Sequence, residues 1–195
     1  MPLARLLVLV LSVATLAFAA AGCGGGSDSS SSSGTDPETW AADVCGALST
    51  WTDDLRTKSQ SLSSDLQSSS DLKQVKSKLV TFLDDAKAST QKMVDDVKAA
   101  GPPEGKNGTT VQEDLESGLS DARDALDKAE SKAEDLDTTN ARTFLTGVSN
   151  LGQQVQAELQ ATAEHFNSIK STSGELDNAI SNEPSCKPFL SNSSG

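Results

Sequence analysis

Tyrosine is absent from this chain of 195 residues, histidine occurs once, cysteine three times, and aromatic side chains make up 4% of the total. So few His and Cys leave zinc fingers and most transition-metal centres without ligands. Basic residues are scarce as well: 16 Lys and Arg stand against 28 Asp and Glu, for a net charge of −12. Phosphate binding draws its affinity from clustered Lys and Arg that release counterions, so nucleic acid is not an expected partner, and anionic lipid head groups are disfavoured by the same balance. The sequence also has no Gly-x-Ser-x-Gly elbow and no Cys-x-x-Cys pair. Its Gly101–Gly108 stretch carries Pro102 and Pro103 where a phosphate-cradling loop would need N–H donors. No catalytic residue, cofactor or metal site is therefore expected, and the protein reads as a non-enzyme.

What is present begins with an address. Met1–Arg5 is short and basic, and Leu6–Ala21 then runs without a charge. That run is a signal-peptide core, shorter than the roughly 20 apolar residues that span a bilayer. It ends in Ala20-Ala21-Gly22-Cys23, which resembles the lipobox of bacterial lipoproteins of the high-GC Gram-positive type, although Ala20 stands where Leu is commonest. The resemblance implies cleavage after residue 22, a diacylglycerol thioether on Cys23 and a home on the outer face of the cell membrane, held by the lipid. Ala19 and Ala21 also make a small-x-small site for ordinary signal peptidase, which would release a soluble secreted protein.

Residues 23–35 follow as lipidated Cys and linker. Gly24–Thr35 reads GGGSDSSSSSGT, with no apolar group whose burial could offset the entropy of ordering it, so a disordered, flexible tether with a mean reach of about 19 Å is expected.

Residues 36–190 read as one helical domain and 191–195 as a disordered tail. Asp36-Pro37-Glu38 is a helix start, with an Asp cap, Pro at the first helical position and an acid at the positive dipole end. Trp40, Val44, Leu48, Trp51, Leu55, Leu62 and Leu66 then recur at helical spacing. Ser68 and Asp71 suggest a second cap, ahead of Leu72, Val75, Leu79, Phe82, Ala86, Met93, Val97 and Ala100, and Gly101-Pro102-Pro103 stops that helix. Gly105–Gly108 is read as loop, and Thr110 with Glu113 as a capping box opening a third helix along Val111, Leu115, Leu119, Ala122, Leu126, Ala129, Ala133 and Leu136. A fourth starts near Thr138 or Thr139 and keeps phase through Phe144, Val148, Leu151, Val155, Leu159, Phe166 and Ile169 to Leu176 and Ile180. It is expected as one long helix to about Ser181, kinked if anywhere near Ser173. No segment alternates with period two, so the expected fold is all-α, an up-down-up-down four-helix bundle.

That topology puts the start of the first helix beside the end of the fourth, so Cys45 and Cys186 are expected to form a disulfide. Acylation of Cys23 would leave them as an even pair in an oxidising compartment. Closing so long a loop is worth roughly 5 kcal/mol at most in the chain-entropy model.

Three features invite a chemical reading. The doublets Asp53-Asp54, Asp84-Asp85, Asp95-Asp96, Glu113-Asp114 and Glu134-Asp135 point about 100° apart on a helix and read as solvated faces, with Lys92 and Lys128 at ion-pair spacing. Met93 and His165 as haem ligands would sit about 10 and 23 Å from their shared end, levels that disagree. The thin third helix, with Gly118, Ala122, Ala125, Ala129 and Ala133, either admits its neighbours closely or leaves a void for an acyl chain. The expected function is a non-catalytic interaction module of the cell envelope, binding an envelope protein or wall partner. Carriage of an apolar ligand is the alternative.

Overall fold

The computed structural model describes residues 34–68, 70–168 and 174–190, with side chains excluded at Ser68, at 158–168 and at Leu190. Among the described residues the protein is helical throughout, in six helices: α1 Pro37–Ser68, α2 Leu72–Ala100, α3 Gly108–Glu134, α4 Ala141–Ser168, α5 Gly174–Asn182 and α6 Lys187–Leu190, with a 3-10 turn at Pro184–Cys186.

Helix boundaries follow local chemistry in most places. Asp36 caps α1, its Oδ1 accepting from the N–H groups of Glu38 and Thr39, each at 3.1 Å. Asp71 caps α2 by accepting from Lys73 N–H at 2.9 Å. At the other end of α2, Gly101 takes φ +68°, which Gly reaches without a Cβ penalty, and donates its N–H to Lys98 O. Two starts differ from the sequence expectation. Helix α3 begins at Gly108 behind Asn107 rather than at a Thr110–Glu113 capping box, and Thr110 lies inside the first turn. Helix α4 is capped by Asn140, whose Oδ1 accepts from Arg142 and Thr143 N–H, one residue beyond the expected Thr139.

Cross-helix contacts pair residues in opposing order. Asp54 meets Ser89 and Asp65 meets Lys78 between α1 and α2. Gln91 meets Arg123 and Lys76 meets the end of α3 between α2 and α3. Between α3 and α4, Leu136 lies against Gly147 and Lys132 against Gln154. Helix α5 packs on α1.

The core falls into two clusters. One joins Trp40, Val44, Met93, Val94, Val97, Ala100, Val111, Leu119 and Leu176, from α1, α2, α3 and α5. The other joins Leu83, Ala86, Leu126, Ala129, Ala133 and Leu151, from α2, α3 and α4, with Leu55 of α1 half-buried at its edge. Leu83 and Val94, which the expected stripe omits, are buried, while Phe82 is only half-buried. Helix α2 touches α1 on one flank and α3 on the other, so its buried arc is wider than a single stripe. The expected continuity of the fourth helix through Gly174 falls on residues 169–173 and lies outside the described residues, as do the signal segment, Cys23, the tail and the side chains of Leu159, His165, Phe166 and Ile169.

Candidate functional site

One end of the molecule gathers the covalent and polar ties, and it starts where the expected tether stops. Thr35, assigned from sequence to the flexible linker, is held instead by the α2–α3 connection. Its N–H donates to Pro102 O at 2.8 Å, its carbonyl accepts from Glu104 N–H at 2.7 Å, and its Oγ1 donates to Ala100 O at 2.6 Å. The last of these occupies one of the carbonyls that a helix C-terminus leaves unpartnered. The two main-chain bonds form a parallel bridge between Thr35 and Pro103. Gly34 and Gly108 are small by necessity: a Cβ on Gly34 would lie 2.9 Å from Glu104 N, and one on Gly108 only 1.8 Å from Pro103 O.

Beside this clasp, Cys45 and Cys186 are bonded, as expected, with Cα atoms 5.1 Å apart. Both are buried. The turn carrying Cys186 is positioned twice more. Ser49 donates its hydroxyl to Ser185 O, and Glu183 caps the turn by accepting from the N–H and hydroxyl of Ser185. These two bonds, the N–H first, with help from the charge on Lys187, hold the Glu183 carboxyl below its ordinary range. Partial burial has the opposite effect on Asp177 of α5, raising its pKa.

Inside the same end runs a buried polar network. Trp40 Nε1–H donates to Gln112 Oε1 at 3.3 Å, and Gln112 Nε2 donates to Val97 O at 2.7 Å and to Glu116 Oε1 at 2.8 Å. Further along α1, Trp51 Nε1–H donates to Thr90 Oγ1, whose own hydroxyl donates to Ala86 O. Every buried side-chain nitrogen and oxygen among the described residues has a partner, so this network acts as structure that fixes helix register. Thr90 and Gln112 are buried although an apolar stripe does not mark them, both being polar. The signal was there for Thr90, which sits in phase between Ala86 and Met93.

Away from this end the ties are of another kind. Lys87 lies amid Asp84, Asp127 and Glu130, and its hydrogen bond to Glu130 above all raises its pKa. Lys76 donates to the carbonyls of Glu134 and Leu136 at the end of α3. Asp137 in the following turn is pulled down in pKa by the hydroxyl and then the N–H of Thr139. Between α2 and the α3–α4 turn lies an open groove of about 530 Å³ lined by Lys73, Lys76, Ser77, Val80, Thr81, Glu134 and Thr138.

The acidic doublets diverge. Asp53 pairs with Arg56 along its own helix while Asp54 reaches Lys58 and Ser89, and Asp96 pairs with Lys92 while Asp95 accepts from Gln91. Asp124 is paired with its neighbour Arg123 rather than with Lys128. No group of three or more His, Cys, Asp or Glu suited to a metal ion occurs among the described residues. Met93 is buried beside Trp40 and Val97 in the first core cluster. Against the Ala face of α3, the concavity between Ala125, Ala129, Leu151 and Val155 has no room for a water molecule. No helix among the described residues is long and apolar enough to cross a membrane. No known protein family, curated protein or solved structure matches the sequence.

Proposed function

We propose that this protein is a membrane-anchored extracytoplasmic lipoprotein, acylated on Cys23, whose helical domain is a non-catalytic interaction module of the cell envelope. In this reading the domain is an up-down-up-down four-helix bundle. The opposing order of contacts between successive helices supports it, and α4 and α5 act as successive parts of the fourth arm, one feeding Leu151 to the second core cluster and the other Leu176 to the first.

The observation that carries the proposal is the clasp at Thr35. A polypeptide leaving a lipid on Cys23 would enter the fold there, at the end that also holds the disulfide. Eleven residues separate the two positions, so the clasped end would lie within about 40 Å of the membrane at full extension. The far end, about 48 Å away along the 32 residues of α1, would face outward to a protein or wall partner.

Intact-mass measurement on protein isolated from its host tests the anchor. A diacylglycerol adduct on Cys23, with Cys23→Ala shed into the medium, is the expected result. Unmodified protein beginning at Gly22 would instead establish a soluble secreted form. For the partner, crosslinking in living cells should capture envelope components through the outward end, and charge reversals there should abolish capture without altering the melting temperature.

A further inference from the structure

We infer that Asn107 is a site of spontaneous covalent modification, and that its β-linked product releases the clasp on Thr35. Asn107 is the one non-glycine among the described residues with positive φ, at +71°. Asn tolerates that left-handed conformation better than other residues. The next residue must be Gly, because Pro103 O occupies the space a Cβ would take. The fold thus requires Gly at the second place of this Asn-Gly pair, the pairing in which the following nitrogen, shielded by no Cβ, can reach the Asn carboxamide.

Three features leave that carboxamide ready to react. Asn107 is exposed, its side chain makes no capping hydrogen bond, and Gly108 N–H is held only by a 3.3 Å bond to Gly105 O, outside the regular helical ladder. The Gly108 nitrogen attacks Asn107 Cγ, the new C–N bond forms, the carboxamide C–N bond breaks, and ammonia leaves with the proton from Gly108. Water then opens the cyclic imide. Opening at Cγ gives an ordinary aspartate in place of Asn107. Opening at the main-chain carbonyl leaves Gly108 joined through Cγ, with the former carbonyl as a free carboxylate. Overall, carboxamide and water become carboxylate and ammonium, with no oxidant or reductant involved.

The two products differ in their effect on the clasp. The ordinary aspartate keeps the backbone and adds a negative charge at the positive end of α3, which is favourable. The β-linked product inserts a methylene into the main chain and takes the Asn107 carbonyl out of it. That carbonyl accepts the first helical bond of α3, from Val111 N–H at 2.9 Å. Gly108 then loses its seat against Pro103, and Pro102–Glu104, which holds Thr35 in place, shifts with it.

The test is to age the protein isolated from its host in warm, mildly alkaline buffer, and to follow each Asn by peptide mapping and Thr35 and Glu104 by amide hydrogen exchange. Asn107 is expected to convert on the order of tenfold ahead of Asn140, Asn150, Asn167, Asn178, Asn182 and Asn192, none of which precedes Gly. Molecules carrying the β-linkage should exchange the Thr35 and Glu104 amides faster, while Asn107→Gly, which keeps the left-handed turn, should stay protected on ageing. Conversion of Asn107 no faster than the other Asn residues would overturn the inference. So would unchanged exchange at Thr35 and Glu104 in the β-linked fraction.

Discussion

The two ends of this molecule are held together by different physics. At the clasped end the ties are a buried disulfide, main-chain hydrogen bonds to Thr35 and indole bonds from Trp40, around a core of Met93, Val94 and Val97, each at most 2% exposed. Towards the far end the core alternates Ala86, Ala129 and Ala133 with Leu83, Leu126 and Leu151, flanked by half-buried Leu79, Phe82 and Val155, and polar ties between helices come from the ammonium groups of Lys76, Lys78, Lys87 and Lys132. The alanines let the helices approach there while the leucines fill the interior, and the lysines add ties across the surface. A surface ion pair such as Lys78 with Asp65 is worth about 0 to 1 kcal/mol and weakens in salt. Buried covalent and backbone ties do not. One end is therefore built for permanence and the other for tolerance.

Removing the disulfide is the strongest way to break that comparison. Cys45→Ala with Cys186→Ala should cost about 2 to 5 kcal/mol in denaturant titration, and hydrogen exchange should rise first in α5 and the start of α1. Equal loosening of both ends would contradict the contrast. Gln112→Ala comes next, at about 1 to 3 kcal/mol, because it strands Trp40 Nε1 and Val97 O in a dry interior. Salt sharpens the comparison from the other side. Raising ionic strength from about 0.01 to 1 M shortens the screening length from about 30 to 3 Å, and amide exchange should quicken at the far end of α2 and α3 while that near Trp40 stays level.

The smallest expected effect concerns pH. Burial raises the pKa of Asp177, so its charge costs stability above the folded pKa, and the cost is relieved as pH falls through it. Asp177→Asn should raise the melting temperature at neutral pH by an amount worth under about 0.5 kcal/mol, and the gain should vanish in acid. Glu183 has the opposite sign: its depressed pKa gives stability present above the ordinary Glu range and lost as pH falls through the folded value. A melting curve whose pH dependence is unchanged by Asp177→Asn would refute that assignment.

Local chemistry was legible in the sequence, and contact-determined detail was not. The caps at Asp36 and Asp71 and the stop at Gly101 depend on neighbours within a few residues, and each stands where the sequence puts it. The helical rhythm likewise located Trp40, Val44, Val97, Leu119 and Leu126 in the interior, and the bond expected between Cys45 and Cys186 is present. Thr35 carries no local signal, because its partners at Ala100, Pro102 and Glu104 lie far along the sequence. Nor could the start of α3 at Gly108 be read from Thr110 and Glu113, since the entry there is fixed by packing against Pro103. Gln112 hid beside Val111 for a related reason: it is turned inward by Trp40 of α1 and Val97 of α2, partners outside its own helix.

Placing both indoles in the clasped half has an optical consequence. Trp40 and Trp51 are the only tryptophans, and there is no tyrosine. Intrinsic fluorescence will therefore watch one half of the protein melt and stay blind to fraying at the other, so an emission trace can look like a single sharp transition while circular dichroism has already begun to fall.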